Sequence, residues 1–219
     1  MSIYSSYMMP AYPISWRTEM LSYLASQFHK PNGFGGRCAT LAMNVINRAQ
    51  YHCVMTLIPP QGHILDIGFG NGKMLKRLLQ KGYRNLYGTE ISESCLSIVE
   101  RKLLWATQKG YVHLQRGTAE QLPYDASCMD CIYSINTIYF WNTLHEGLQE
   151  IARVLKPQGT LVLACYDKKW MGRLPLAAHG FQLYELEEIC TALKRNGFMC
   201  VRVAVVKENK AYCIYAKRL

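Results

Sequence analysis

The stretch HILDIGFGNGK, His63 to Lys73, decides how the rest of the chain is read. A short apolar, β-compatible run carries an acid, Asp66, and glycine then stands at every second position, Gly68, Gly70 and Gly72. Glycine inside an element costs about 0.5–1 kcal/mol relative to alanine. Three so close together imply that the backbone needs positive φ, or that something approaches closer than a Cβ allows. A dinucleotide fingerprint would need its third glycine at position 73, which is Lys73. A P-loop fails as well, because Gly72-Lys73 is followed by Met74. A turn this thin, with an acid just before it, suits a ligand with a positively charged end better than a pyrophosphate.

Outward from the turn, strands and helices alternate. Met74, Leu75, Leu78 and Leu79 make one apolar face of a helix over Gly72–Lys81. Asn85–Gly88 reads as a strand ending at Thr89-Glu90, and Ser92 as the N-cap of a helix reaching Gln108. Tyr111–Gln115 and Asp130–Ile135 are the next strands. Leu144, Leu148, Ile151 and Leu155 mark a helix stopped by Lys156-Pro157-Gln158-Gly159. Thr160–Cys165 is a strand, Leu183–Asn196 a helix with Gly197 just past its end, and Met199–Val206 with Ala211–Lys217 an antiparallel hairpin. The alternation predicts an α/β, doubly wound, mainly parallel sheet covered on both faces. Two helical stretches precede it, Trp16–Phe28 and Cys38–Leu57, so residues 1–58 are expected to form a helical cap and 59–219 the core.

Composition narrows the classes. With 219 residues, half of them apolar, the chain suits one well-buried domain. No apolar run is long enough for a bilayer, and the N-terminus lacks the pattern of a signal peptide. Nine cysteines without a framework point to reduced thiols and a cytoplasmic location. The net charge of +10 is scattered along the sequence, which favours a solvated basic surface over a nucleic-acid footprint.

From Pro59 onward, several ordered motifs resemble the class I S-adenosylmethionine-dependent methyltransferases. LDIGFGNGK resembles their first motif, YGTEIS the end of their second strand, GTAEQLPY their adenine loop, DCIYSINTIYFW their fourth strand and the loop after it, and EIARVLKPQGTLVLA their fifth-strand entry. The resemblance implies a seven-stranded sheet and S-adenosyl-L-methionine as cofactor. It implies that Asp66, Gly68, Phe69, Gly70 and Gly72 hold the methionine end, that Glu90 takes the ribose, and that Ile91 beside it also binds the cofactor. Thr118, Ala119 and Glu120 would border the adenine, with Thr118 where an aspartate is common. Ile135 and Asn136 would face cofactor and acceptor. The pattern at Pro31, Gly33, Gly36, Met43, Asn44 and Asn47 also resembles some bacterial members.

The expected activity is methyl transfer to a small-molecule acceptor. The alternatives are a nucleic-acid or protein methyltransferase and a non-catalytic cofactor-binding regulator. Tyr139 and His145 are the candidates for a general base, needed only if the acceptor keeps its proton. Asn136 and Tyr139 are assigned to the pocket, and Phe140 and Trp141 to core packing. The polar stripe Thr40, Asn44, Asn47 and Tyr51 fits a solvated face and a pocket lining equally well. Cys128-Met129-Asp130-Cys131 lacks a second close pair, so no metal is expected. Lys168–Phe181 is expected to wall the acceptor site.

Overall fold

The computed structural model describes residues 47–178 and 180–219. The expected helix Trp16–Phe28, the first part of the expected helix Cys38–Leu57, and Thr40 and Asn44 of the polar stripe lie outside them. The segment around the glycine turn follows its pattern closely. Strand β1 (Ile64–Ile67) is buried along its whole length, as a central parallel strand covered on both faces should be. Gly72 then caps a helix over Lys73–Gln80, which buries Met74, Leu75, Leu78 and Leu79. Strand β2 (Leu86–Glu90) leads to Ser92, whose hydroxyl accepts from the Cys95 N–H at the start of a helix over Glu93–Lys102.

That helix does not run unbroken to Gln108. It stops at Leu103, and a short helix over Leu104–Gln108 follows. Strands β3 (Val112–Arg116) and β4 (Met129–Ile135) come next, then a helix over Leu144–Val154 and strand β5 (Leu155–Tyr166). Here a second boundary moves. Lys156–Gly159 is already extended and opens β5, with a register shift opposite Met129 and Cys131 and a positive φ of 62° at Gln158. A third concerns the last helix, which runs over Leu186–Arg195 because Glu185 and Glu188 form a capping box there. The Glu188 carboxylate accepts from the Glu185 N–H at 2.7 Å, satisfying a donor that would otherwise be orphaned at the helix start. Gly197 follows with φ of 81°, and strands β6 (Phe198–Lys207) and β7 (Ala211–Arg218) close the chain.

The seven strands lie in the order β3-β2-β1-β4-β5-β7-β6, and β7 alone runs opposite to the other six. The chain winds outward from β1 through β2 to β3, then returns to place β4 on the other side of β1. That reversal opens a crevice beyond the carboxyl ends of β1 and β4. Alternation along β1 divides the core. Leu65 and Ile67 join the face covered by the helices over Leu144–Val154 and Leu186–Arg195. Ile64 joins the face covered by the helices over Lys73–Gln80 and Glu93–Lys102. A helix over Arg48–Leu57, the last part of the expected cap, packs on the same side against β5 and β7. No described helix is long and apolar enough to cross a membrane.

Candidate functional site

The three glycines serve different purposes. All have positive φ, at 73° for Gly68, 55° for Gly70 and 72° for Gly72, a region costly for residues with a Cβ. A Cβ at Gly68 would collide with Thr137 Cγ2, and one at Gly72 would come within 2.6 Å of Val99 Cγ1. Among the described residues, a Cβ at Gly70 would meet nothing within 4 Å. Gly68 and Gly72 therefore permit close packing, whereas Gly70 borders open space.

That space is a pocket at the strand reversal. Glu90 stands in its wall at the end of β2, almost fully buried. One carboxylate oxygen accepts from the Gly70 N–H and the other from the Ser92 N–H, both at 2.9 Å. A carboxylate offers about four acceptor sites, more than its backbone donors occupy. Burial raises the Glu90 pKa from the usual carboxylate range, and the backbone donors at Ser92, Gly70 and Ile91 oppose it. Ile91, Thr118, Ala119 and Glu120 form the wall beyond Glu90, while Gly68, Ile135 and Asn136 form the opposite side. Glu120 also accepts from the Asn142 N–H, tying two loops together over the pocket.

Three of the expected cofactor residues lie behind this surface. The Phe69 ring packs into the core against Gly88, whose missing Cβ makes room for it. Gly72 is buried at the helix start. Asp66 points to the other face of β1, where its carboxylate accepts from the Tyr133 hydroxyl at 2.8 Å. Burial pushes the Asp66 pKa up to about 8, opposed by the Tyr133 hydrogen bond and reinforced by the charge of Glu90.

The two expected bases are not brought to the pocket. Tyr139 belongs to the core, 4% exposed. Its hydroxyl accepts from the Tyr166 N–H and lies 3.4 Å from Asn136 Oδ1. Burial raises the phenol pKa well above its ordinary value, with the neighbouring Cys165 adding to the effect. It holds its proton and fixes the loop. His145 is exposed on the helix over Leu144–Val154, in a separate cleft with Glu188 and Arg195.

Phe140 takes the place expected of Tyr139, while Trp141, 4% exposed and in the core as expected, also reaches the pocket. A single 3-10 turn over Ile138–Phe140 follows Asn136, whose φ is 59°. It rotates Tyr139 inward and places Phe140 and Trp141 on the pocket. The Trp141 indole N–H donates to the Thr137 hydroxyl at 3.2 Å. Phe181 packs on Phe140 with ring centres 4.8 Å apart, so the expected wall segment reaches the pocket rim.

Sequence reasoning missed Gln50. It is 1% exposed and exchanges two hydrogen bonds with Asn136. Asn47, on the same helix face, accepts from the Tyr166 hydroxyl at 2.8 Å. The polar stripe thus faces inward at Asn47, and its i+3 spacing to Gln50 was the signal available. Thr89, Gly117, Thr137 and Asn142 also line the pocket without having been singled out. Among the described residues, no group of three or more His, Cys, Asp or Glu could hold a metal ion.

Comparison with known proteins places this geometry. Residues 65–163 match the family described as a methyltransferase domain. An uncharacterized methyltransferase of Bacillus subtilis, YdaC, is 35% identical over 107 residues, 48% of this chain and 57% of that protein. The O-methyltransferase cnsE of Penicillium expansum is 29% identical over 163 residues, 70% of this chain and 58% of that protein. The chain thus spans less than three-fifths of either relative. The crystal structure of geranyl diphosphate C-methyltransferase from Streptomyces coelicolor, in complex with Mg2+, geranyl diphosphate and S-adenosyl-L-homocysteine, superimposes with a TM-score of 0.69. It is 15% identical and covers 96% of this chain and 100% of its own, a likeness of fold alone.

Proposed function

Because residues 65–163 match a methyltransferase domain and the strands take the order given above, we propose that the chain is a class I S-adenosylmethionine-dependent methyltransferase that binds S-adenosylmethionine in the glycine-turn pocket and passes the methyl group to a small-molecule acceptor. The observation that carries this reading is the pairing of Gly70 with Glu90: an open backbone position beside a buried carboxylate with acceptor capacity to spare. Glu90 would take the ribose hydroxyls, Ile91 and Ala119 would flank the adenine, and Gly68 and Gly70 would leave room for the methionine end.

When bound, the cofactor supplies an electrophilic methyl group on a sulfonium that is already a good leaving group. The protein's part is orientation, desolvation and electrostatic matching. Phe140 and Trp141 exclude water, and aromatic faces attract cationic groups. Asn136, held by Gln50 and Tyr139, presents a fixed amide at the pocket. The O-methyltransferase relative favours a small acceptor. The cysteines support a cytoplasmic location, since all those described are free thiols.

Calorimetry with S-adenosylmethionine and S-adenosylhomocysteine tests the first half. Both should bind, and saturation at 100 times the dissociation constant should add about 2.7 kcal/mol of stability. Absence of heat and of thermal stabilisation at millimolar ligand refutes it. Transfer of labelled methyl from the cofactor into a metabolite extract tests the second half and separates an enzyme from a non-catalytic binder.

A further inference from the structure

The basic residues, scattered in sequence, are gathered by the fold. A second cleft lies between the helix over Arg48–Leu57, the helix over Lys73–Gln80 and the β6–β7 hairpin, and Arg48, Arg77, Lys81, Lys207 and Lys210 all line it. Five of its thirteen described lining residues are thus lysines or arginines, against 25 in the 219 residues of the chain. No carboxylate among the described residues lines it. Among the described residues, none of these five is within salt-bridge distance of an acid. Glu208, in the same hairpin turn, is exposed and does not line the cleft. Arg77 and Lys210 instead lie over the rings of Tyr51 and Trp170, at 5.4 and 4.2 Å.

Like charges held in one concavity repel one another and raise a positive potential that an anion relieves. Two guanidinium groups add a geometry matched to phosphate oxygens. The cleft also adjoins the proposed reaction site. Gln50 lines it, and the same Gln50 side chain is paired with Asn136, which lines the glycine-turn pocket. Tyr166, at the end of β5, lines it too and holds Asn47 through its hydroxyl.

We propose that this cleft binds the phosphate-bearing end of the methyl acceptor, so that the acceptor is a small phosphorylated or diphosphorylated molecule. The inference rests on the methyltransferase reading given above. Its anion-binding part can be tested without that reading.

Calorimetry on the full chain with pyrophosphate and inorganic phosphate is the first arm. Pyrophosphate should bind more tightly than phosphate, and both should weaken as added salt shortens the screening length below about 8 Å. Replacing Arg77, Lys207 and Lys210 together by glutamine should weaken pyrophosphate binding at least about a hundredfold, each charge-assisted contact being worth about tenfold. Binding of S-adenosylhomocysteine should be unchanged in that variant, which also shows that it folds. Failure of S-adenosylhomocysteine alone refutes the cofactor reading and leaves the anion site standing. Failure of pyrophosphate at millimolar concentration, or equal binding by the variant, overturns the anion site. A labelled RNA that binds the cleft and resists displacement by pyrophosphate overturns the assignment to a small molecule.

The second arm fractionates a metabolite extract after transfer of labelled methyl groups. The product should be retained on an anion exchanger and released from it by phosphatase treatment. Label confined to neutral or cationic fractions overturns the assignment of acceptor class.

Discussion

Gln50 and Asn136 stand 86 residues apart and exchange two hydrogen bonds, Gln50 Nε2 donating to Asn136 Oδ1 at 3.1 Å and Asn136 Nδ2 donating to Gln50 Oε1 at 2.7 Å. Both side chains are buried. Removing one leaves the other amide with unmet donor and acceptor, at about 1–3 kcal/mol. Gln50→Ala and Asn136→Gly should each destabilise by that amount, glycine being chosen because φ at 136 is positive. The double variant should lose less than the sum. Urea denaturation of the four proteins measures the coupling, and strict additivity would show that the pair contributes nothing as a unit.

Glu90 joins two backbone donors across the pocket wall, so its replacement acts on stability and binding together. Glu90→Ala should weaken S-adenosylmethionine binding by about 1.5–3 kcal/mol, the range for a hydrogen bond to a charged group. It should also lower the unfolding midpoint, because the N–H groups of Gly70 and Ser92 lose their acceptor. Unchanged cofactor affinity in a folded Glu90→Ala protein would remove Glu90 from the ribose site.

The glycine turn can be dissected in the same way. Gly68→Ala should destabilise the fold, since its Cβ meets Thr137 and its φ is positive. Gly70→Ala meets no atom of the described residues, so its stability cost should be confined to the left-handed backbone, about 1–2 kcal/mol. Its larger effect should be on cofactor affinity, because the new methyl group enters the pocket. Thermal unfolding with and without S-adenosylhomocysteine separates the two effects, and a reversed ranking would contradict the assignment of open space to Gly70.

Asp66 makes stability depend on pH. Its ordinary pKa of 3.8 is raised to about 8 in the folded protein. Below the lower value both states hold the proton. Between the two, only the folded state does, so stability falls as pH rises, by up to about 1.4 kcal/mol per unit for one group. Above the folded pKa, no further loss comes from this residue. Asp66→Asn cannot ionise, so its stability relative to the parent should rise across that window and level off above it. Parallel pH profiles for parent and variant would mean that Asp66 is ionised in the folded protein.

Much of the fold was legible because local pattern reports local structure. The spacing of Met74, Leu75, Leu78 and Leu79 identified both a helix and its buried face. The alternation of elements from His63 to Cys165 required a mainly parallel sheet, and the break in it after Gly197 marked the antiparallel hairpin. The family resemblance connected the glycine turn with Glu90 before any contact was known, and the interval between them fits one helix and one strand.

Periodicity does not carry the rotation of a single turn or the meeting of distant elements. Tyr139, Phe140 and Trp141 are adjacent aromatics, and only the 3-10 turn after Asn136 decides which of them reach the pocket. The Gln50–Asn136 pair and the gathering of Arg48, Arg77 and Lys207 arise when separate segments pack on one sheet. The sequence by itself determined the elements, their buried faces and the position of the glycine turn, because those depend on neighbours within a few residues. Tertiary structure alone decided which polar groups share a site, because hydrogen bonds and charge act through space between residues that strand order brings together.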